Sequence, residues 1–311
     1  MAARLADIAA QAGVSEATVS RVLNGKPGVA DATRQSVLTA LDVLGYERPT
    51  RLRRKSAGLV GLIVPELTNP IFPAFAQVIE TSLAQHGYTP VLCTQTPGGV
   101  HEDDYTQMLL ERSVSGIIFV SGLHADSTAD HERYRRLISR GLPIVLVNGY
   151  ADDVEVPYVS CDDIAASQLA VGHLIALGHS RIGLAVGPER FVPAIRKIAG
   201  FRQAMSSLAR GDDVESLIER SLFTVEGGQA AANRLLDQGC TAVVSGSDLM
   251  ALGAIRAVRA RGLRVPDDMS VVAFDDLPEE WVSEPFLTVA AQPAYEIGHR
   301  AVTLLLDHIA G

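Results

Sequence analysis

Beyond residue 58 the chain alternates short, almost wholly apolar runs with amphipathic stretches of helical period. The runs span 59–65 (LVGLIVP), 90–94, 116–122 (GIIFVSG), 143–149 (PIVLVNG), 181–187 (RIGLAVG), 241–245 and 270–275. Near-continuous apolar strands separated by helices predict a parallel sheet covered on both faces. Residues 75–86 fit one covering helix, with Phe75, Val78, Ile79 and Leu83 on one stripe and Gly87 as its stop. Four runs precede residue 150 and at least three follow residue 180, which predicts two similar α/β lobes with a cleft between them. The runs end in small or polar residues: Ser121-Gly122, Asn148-Gly149, Gly187, Ser245-Gly246-Ser247 and Asp275-Asp276. Ligands of parallel sheets bind beyond the carboxyl ends of the strands, so these termini are the expected pocket.

The first 50 residues have a different period. Leu5, Ile8, Ala9 and Ala12 form an apolar stripe, Gly13 supplies a left-handed stop, and Ser15 is placed to cap a second helix with Val19 and Val22 inward. Ala9 is small enough for the two helices to cross closely. A third helix is expected from Asp31, read as its N-cap, with Val37, Leu38, Leu41 and Leu44 inward and Gly45 as the stop. Three short helices close a small core and leave the second free to enter a major groove. It presents Glu16, Ala17, Thr18, Ser20 and Arg21 outward. Arg21 then reaches guanine acceptors, while Thr18, Ser20, Asn24 and Lys26 reach phosphates.

Charge changes this picture less than its total suggests. The 311 residues carry a formal net charge of -9, which on its face argues against nucleic acid. Residues 1–58 hold 9 Lys and Arg against 5 Asp and Glu, leaving 18 against 31 for the rest, so a head of +4 sits on a body of -13. Arg51, Arg53, Arg54 and Lys55 lie within five positions. Each phosphate they neutralise steepens the salt dependence of log K by about 0.9. Cys93, Cys161 and Cys240 are odd in number and far apart, so free thiols are expected rather than a disulfide framework or zinc site. With no apolar stretch of the roughly 20 residues that cross a bilayer and no export-signal pattern, a cytoplasmic protein without a membrane partner is expected.

The stretch from Leu5 to Asn24, ending SEATVSRVLN, resembles the headpiece of the LacI/GalR (lactose-repressor) family. The similarity continues through GLIVPELTNPIF, VGHLIALGHSRIGLAVG, SDLMALGAIRAVRARGLRVPDDMSVVAFDD and QPAYEIGHRAV, in order. Around Arg190 to Phe201 the sequence is most similar to actinobacterial maltose and amylase repressors. The resemblance implies a small all-α helix-turn-helix headpiece and an α/β, periplasmic-binding-protein-like body of two doubly wound parallel-sheet lobes. It places the headpiece at 1–47, a basic hinge at 48–58 and the body at 59–311, with an N-lobe of about 59–160 and 291–311 and a C-lobe of about 161–290. It also implies a homodimer, or a tetramer built from it, on a pseudo-palindromic operator in double-stranded DNA. The same resemblance implies that Glu16, Ala17 and Arg21 are the base-reading positions. A carboxylate prefers the cytosine amino group and Ala offers only a methyl contact, so Arg21 is expected to carry most direct readout.

The linker 46–58 (YERPTRLRRKSAG) departs from the family, since it lacks the Asn and Ala-Arg wording of the usual hinge helix. Leu52 is its only apolar candidate for a minor-groove wedge, whose unstacking cost the bent DNA must offset. For the effector, the resemblance implies Asn69, Phe72, Asn148, Asp162, Lys197, Phe223, Ser247 and Asp275. Where relatives hold an Arg, this chain has Lys197 with Arg196 alongside, so the contact comes from either or neither. Trp281 either lines the pocket or packs under a loop. Planar carboxylates and amides with an aromatic face suit a sugar, and maltose or a maltodextrin is the expected inducer.

A non-sugar effector or a corepressor such as a purine, and a cytoplasmic solute-binding protein without regulatory role, are the alternatives. No enzyme, cofactor or metal site is expected. The glycines of GLAVGPE lack dinucleotide spacing, and His173 and His179 stand six apart, off one helix face. His101, His124 and His131 have no nucleophile nearby, and Asp275 and Asp276 diverge on an extended strand end. Relatives continue past the last helix with a returning strand, so the stop at Gly311 is expected to expose a sheet edge, in a shorter body or a shortened chain.

Overall fold

The computed structural model describes residues 5–46, 56–95, 99–206, 212–276 and 287–311. The chain divides into two compact units, Met1–Ala57 and Gly58–Gly311.

The first unit holds three helices, α1 (Leu5–Ala12), α2 (Glu16–Leu23) and α3 (Asp31–Val43). Gly13 takes φ 66° to end α1. Ser15 caps α2, its Oγ accepting from the Thr18 amide at 3.2 Å. Ile8, Ala9, Val19, Val22, Val37, Ala40 and Leu41 close the core. Asp31 is not the cap of α3. Ala30 holds that position without a side-chain bond and Asp31 is the first helical residue, where its carboxylate opposes the positive end of the helix dipole.

In the second unit, β1 (Leu59–Val64), β2 (Thr89–Thr94), β3 (Gly116–Val120), β4 (Ile144–Val147) and β5 (Tyr158–Val159) form an all-parallel sheet in the order β2-β1-β3-β4-β5. Helices α4 (Ile71–Gln85), α5 (Glu102–Glu111) and α6 (Glu132–Ser139) connect these strands. The second sheet contains β6 (Ile182–Val186), β7 (Ile218–Arg220), β8 (Ala242–Ser245), β9 (Ser270–Asp275) and β10 (Thr288–Ala291), ordered β10-β9-β8-β6-β7. It is accompanied by α7 (Asp163–Ala176), α8 (Val192–Met205), α9 (Asp212–Ser216), α10 (Val225–Asp237) and α11 (Asp248–Ala260). Counted from its own first strand, the second sheet repeats the order of the first, so both lobes are doubly wound with the same switch point.

The final helix α12 (Ala294–Ala310) returns to the first lobe, where Ile297, Ala301, Val302 and Leu305 join Val60, Ile118 and Val145 in one core. The chain thus crosses between lobes after β5 and after β10. Three strands lay outside the periodic runs: β5, β7 and β10, with two, three and four residues. Edge strands this short carry too few positions to show a pattern. Helix α4 begins at Ile71, four residues before the stripe read from Phe75.

Candidate functional site

A cavity of about 190 Å³ lies between the lobes. Nearly every segment lining it follows the carboxyl end of a strand. Pro65, Glu66 and Asn69 come after β1, Ser121 and Ala125 after β3, Asn148 after β4, Phe191 and Pro193 after β6, Gly246 and Ser247 after β8, Asp275 ends β9, and Gln292 follows β10. Phe72, Lys197 and Phe223 complete the walls. Among the described residues, four that are not glycine have positive φ, and three of them, Ser121, Asn148 and Asp275, are in this lining. Left-handed backbone at such residues is strained and persists where the surroundings hold it, which is characteristic of ligand sites.

The polar groups are few and fixed. Asn148 donates from Nδ2 to Ser121 Oγ at 2.7 Å, while its buried Oδ1 has no partner. Gln292 donates to Asp275 Oδ1 at 2.5 Å and leaves its own Oε1 without one. Burial pushes the Asp275 carboxyl above the usual carboxylate range, a rise that Lys197 and Gln292 only partly oppose. Lys197 Nζ lies 2.8 Å from Asp163 Oδ1 and 4.8 Å from the Phe274 ring centre. Burial works against its ammonium form, yet Asp163 and Asp275 outweigh this and hold the pKa above that of an ordinary lysine.

Aromatic faces stand among these groups. Phe191 and Phe223 are tilted with centroids 6.3 Å apart. Phe223 fits because residue 187 is glycine: a Cβ there would sit 2.0 Å from its ring.

Of the effector residues expected from sequence, Asn69, Phe72, Asn148, Lys197, Phe223, Ser247 and Asp275 converge on the cavity, whereas Asp162 and Arg196 do not. Asp162 caps α7, accepting from the Ala165 amide at 3.1 Å, and Arg196 lies 3.6 Å from Asp162. Ser247 also caps a helix, its Oγ accepting from the Met250 amide at 3.3 Å. Trp281 lies outside the described residues. Sequence reasoning missed Gln292, Phe191, Glu66 and Asp163. Gln292 had a signal, since it opens the motif QPAYEIGHRAV.

The lobes also touch directly. Arg190 Nε donates to Asp126 Oδ2 at 2.9 Å, and Ser127 donates to the Arg190 carbonyl from its amide at 2.8 Å and its Oγ at 2.7 Å. Burial raises the Asp126 pKa, but Thr128 and Arg190 prevail and hold it below the ordinary value. Asp126 is positioned from behind. In the single helical turn Leu123–Ala125, the Leu123 amide donates to Glu102 Oε2 at 3.1 Å and the His124 amide to the Tyr134 hydroxyl at 2.8 Å. Tyr134 donates in turn to Glu102 Oε1 at 2.6 Å, and burial raises the pKa of both groups. His124 donates from Nε2 to the Val147 carbonyl at 3.1 Å, and burial lowers its pKa to about 4, which keeps it neutral.

In the first unit, Glu16, Ala17, Arg21, Asn24 and Lys26 are exposed, opposite the buried Val19 and Val22. Arg21 rests against the Pro27 carbonyl at 3.4 Å. Thr18 bonds to Ser15 at 2.9 Å, and Asn24 donates to the Ser20 carbonyl and hydroxyl. Arg51, Leu52, Arg53, Arg54 and Lys55 lie outside the described residues. Also among those described, no group of three His, Cys, Asp or Glu is placed to hold a metal ion, and no helix is long and apolar enough to cross a membrane.

Two family models match the chain. One, described as "Bacterial regulatory proteins, lacI family", matches residues 4–49, and another, "Periplasmic binding proteins and sugar binding domain of LacI family", matches residues 57–311. The HTH-type transcriptional regulator MalR of Streptomyces coelicolor is 62% identical over 314 residues, covering 100% of this chain and 91% of that protein. Among solved structures, the transcriptional regulator CelR–cellobiose complex is 33% identical with a TM-score of 0.72, over 99% of this chain and 94% of that one. The lac repressor dimer bound to operator and the anti-inducer ONPF is 28% identical with a TM-score of 0.69, over 99% and 93%.

Proposed function

Since the chain belongs to the LacI family, and is therefore a sequence-specific DNA-binding transcriptional regulator, we propose that it is a cytoplasmic, dimeric repressor of carbohydrate-utilisation genes, released from its operator by maltose or a maltodextrin. The cavity lining carries this reading. Phe72, Phe191 and Phe223 offer apolar faces to a pyranose, while Asn69, Asn148, Asp275 and Gln292 offer planar groups to its hydroxyls. The identity to MalR supports the same sugar class.

The lining is contributed by both lobes, so a bound sugar favours one arrangement of them over others. It shifts the population away from the DNA-competent state only as far as its affinities for the two states differ, typically about 1–3 kcal/mol of coupling. In the head, α2 enters the major groove with Arg21 as the principal base reader, Glu16 and Ala17 beside it, and Thr18, Ser20, Asn24 and Lys26 toward phosphates. Arg51, Arg53, Arg54 and Lys55 add phosphate contacts.

Gel-shift titration of an operator with and without maltotriose tests this. Weaker operator binding with sugar is expected. Unchanged affinity would remove the sugar inducer, and tighter binding would favour the corepressor alternative.

A further inference from the structure

We infer that the cleft admits neutral, hydroxyl-rich sugars and excludes their phosphorylated or otherwise anionic forms, and that Asp163 sets this selectivity. The inference rests on the sugar-effector reading and goes beyond it by fixing the charge of the ligand.

Lys197 is the one cation in the described cavity lining, and it and the cations that flank the cleft are each engaged by a carboxylate. Lys197 pairs with Asp163 at 2.8 Å with both side chains buried, Arg190 with Asp126 at 2.9 Å, and Arg196 with Asp162 at 3.6 Å. Asp275 and Glu66 line the same cavity with no described cation within ion-pair distance of either. In the lining, the buried side-chain oxygens left without partners, Asn148 Oδ1 and Gln292 Oε1, are both acceptors. A ligand must bring donors to these oxygens and neutral acceptors to the free N–H groups of Lys197, and hydroxyls supply both. A phosphate or carboxylate brings acceptors and a charge, and meets Asp275 instead of a free cation.

Asp163 is held in place by the fold. It is the first residue of α7, where the helix dipole favours its charge. Helices α7 and α8 approach so closely that a Cβ on Gly200 would lie 2.4 Å from the Ile164 carbonyl oxygen. Ser167 Oγ donates to the Lys197 carbonyl at 2.9 Å, fixing the register. Lys197 thus spends one N–H on Asp163 and keeps two for neutral hydroxyls, with its charge cancelled.

Calorimetric titration of the full chain with maltose and with maltose 6′-phosphate tests this, on wild type, Asp163→Asn, and Asp163→Asn combined with Lys197→Gln. Wild type is expected to discriminate against the phosphate on the order of a hundredfold, the scale of one unpaired charge at close range. Asp163→Asn removes the carboxylate bonded to Lys197 and leaves only the weaker attraction of Asp275 on its charge; it is expected to narrow that ratio at least tenfold, while the double variant restores it. Equal wild-type affinities for the two sugars overturn the charge selectivity and leave the sugar reading standing. Binding of the phosphate alone overturns both. An unchanged ratio in a folded Asp163→Asn protein removes Asp163 from the role; if that variant does not fold, Lys197→Gln decides, since keeping Asp163 without its cation is expected to widen the ratio and an unchanged or narrower ratio removes Asp163 from the role.

Discussion

Arg190 and Asp126 join the two lobes of the body at 2.9 Å, and Arg190 also stacks its guanidinium 4.6 Å over Phe191, a wall of the cavity. A ligand that moves Phe191 therefore moves one half of an interlobe bond. The residues on either side reinforce it, since Asp126 and Phe191 form a short antiparallel bridge.

Replacing Arg190 with Ala removes the ion pair and the cation over the ring but leaves the backbone bonds from Ser127. A pair with a half-exposed Arg190 contributes about 0.5–1 kcal/mol, so effector affinity is expected to fall roughly two- to fivefold with operator affinity in the absence of sugar unchanged. Titration calorimetry and gel shift measure the two. An effector affinity equal to wild type would show that the contact does not hold the sugar-bound arrangement.

Gly187→Ala puts a methyl 2.0 Å from the Phe223 ring, which must leave its place. Loss of at least tenfold in sugar affinity is expected, with a thermal midpoint close to wild type because the ring moves toward the open cleft. Retained affinity would mean that Phe223 is not a sugar contact.

His124 ties stability to pH. Its ordinary pKa is 6.5 and burial lowers it to about 4 in the folded body. As pH falls through 6.5 the unfolded chain takes up a proton that the folded chain refuses until about 4, so stability is lost across this window and is fully present above it. The full shift is worth roughly 3 kcal/mol. Urea denaturation between pH 7.5 and 4.5 is expected to show a shallower pH slope for His124→Asn than for wild type. Parallel slopes would contradict the neutral buried imidazole.

Arg21→Ala is expected to reduce preference for operator over random DNA by about 1–3 kcal/mol, the value of one good base contact. Competition gel shifts measure the ratio, and a ratio equal to wild type would refute α2 as the reading helix. Lys26→Ala, by contrast, is expected to weaken both DNAs alike and flatten the salt dependence.

Much of the fold was legible because burial by face leaves a period in the sequence. The apolar runs became the central strands β1, β3 and β4 of the first sheet with β2 at its edge, and the central strands β6, β8 and β9 of the second. The spacing from Ile8 to Leu41 became the core of the head, while Leu5, expected on the same stripe, is exposed at the first position of α1. The stop at Gly13 and the cap at Ser15 were readable because each depends on one or two neighbouring residues. The edge strands β5, β7 and β10 and the cap of α3 escaped, the first because they are short, the second because Ala30 makes no side-chain bond.

The sequence by itself determined that small and polar residues end the strands, that the expected effector residues are of kinds a sugar site uses, and that the head carries the net positive charge. Only the tertiary structure decided which of these face one cavity. Asp163 and Lys197 stand 34 positions apart, and their pairing exists because α7 and α8 cross at Gly200. Asp162, one position earlier, is consumed by a helix cap instead. Local order follows from near-neighbour backbone geometry and the burial of one face. Which carboxylate neutralises which cation follows from the packing of distant helices, on which a single sequence carries no periodic signal.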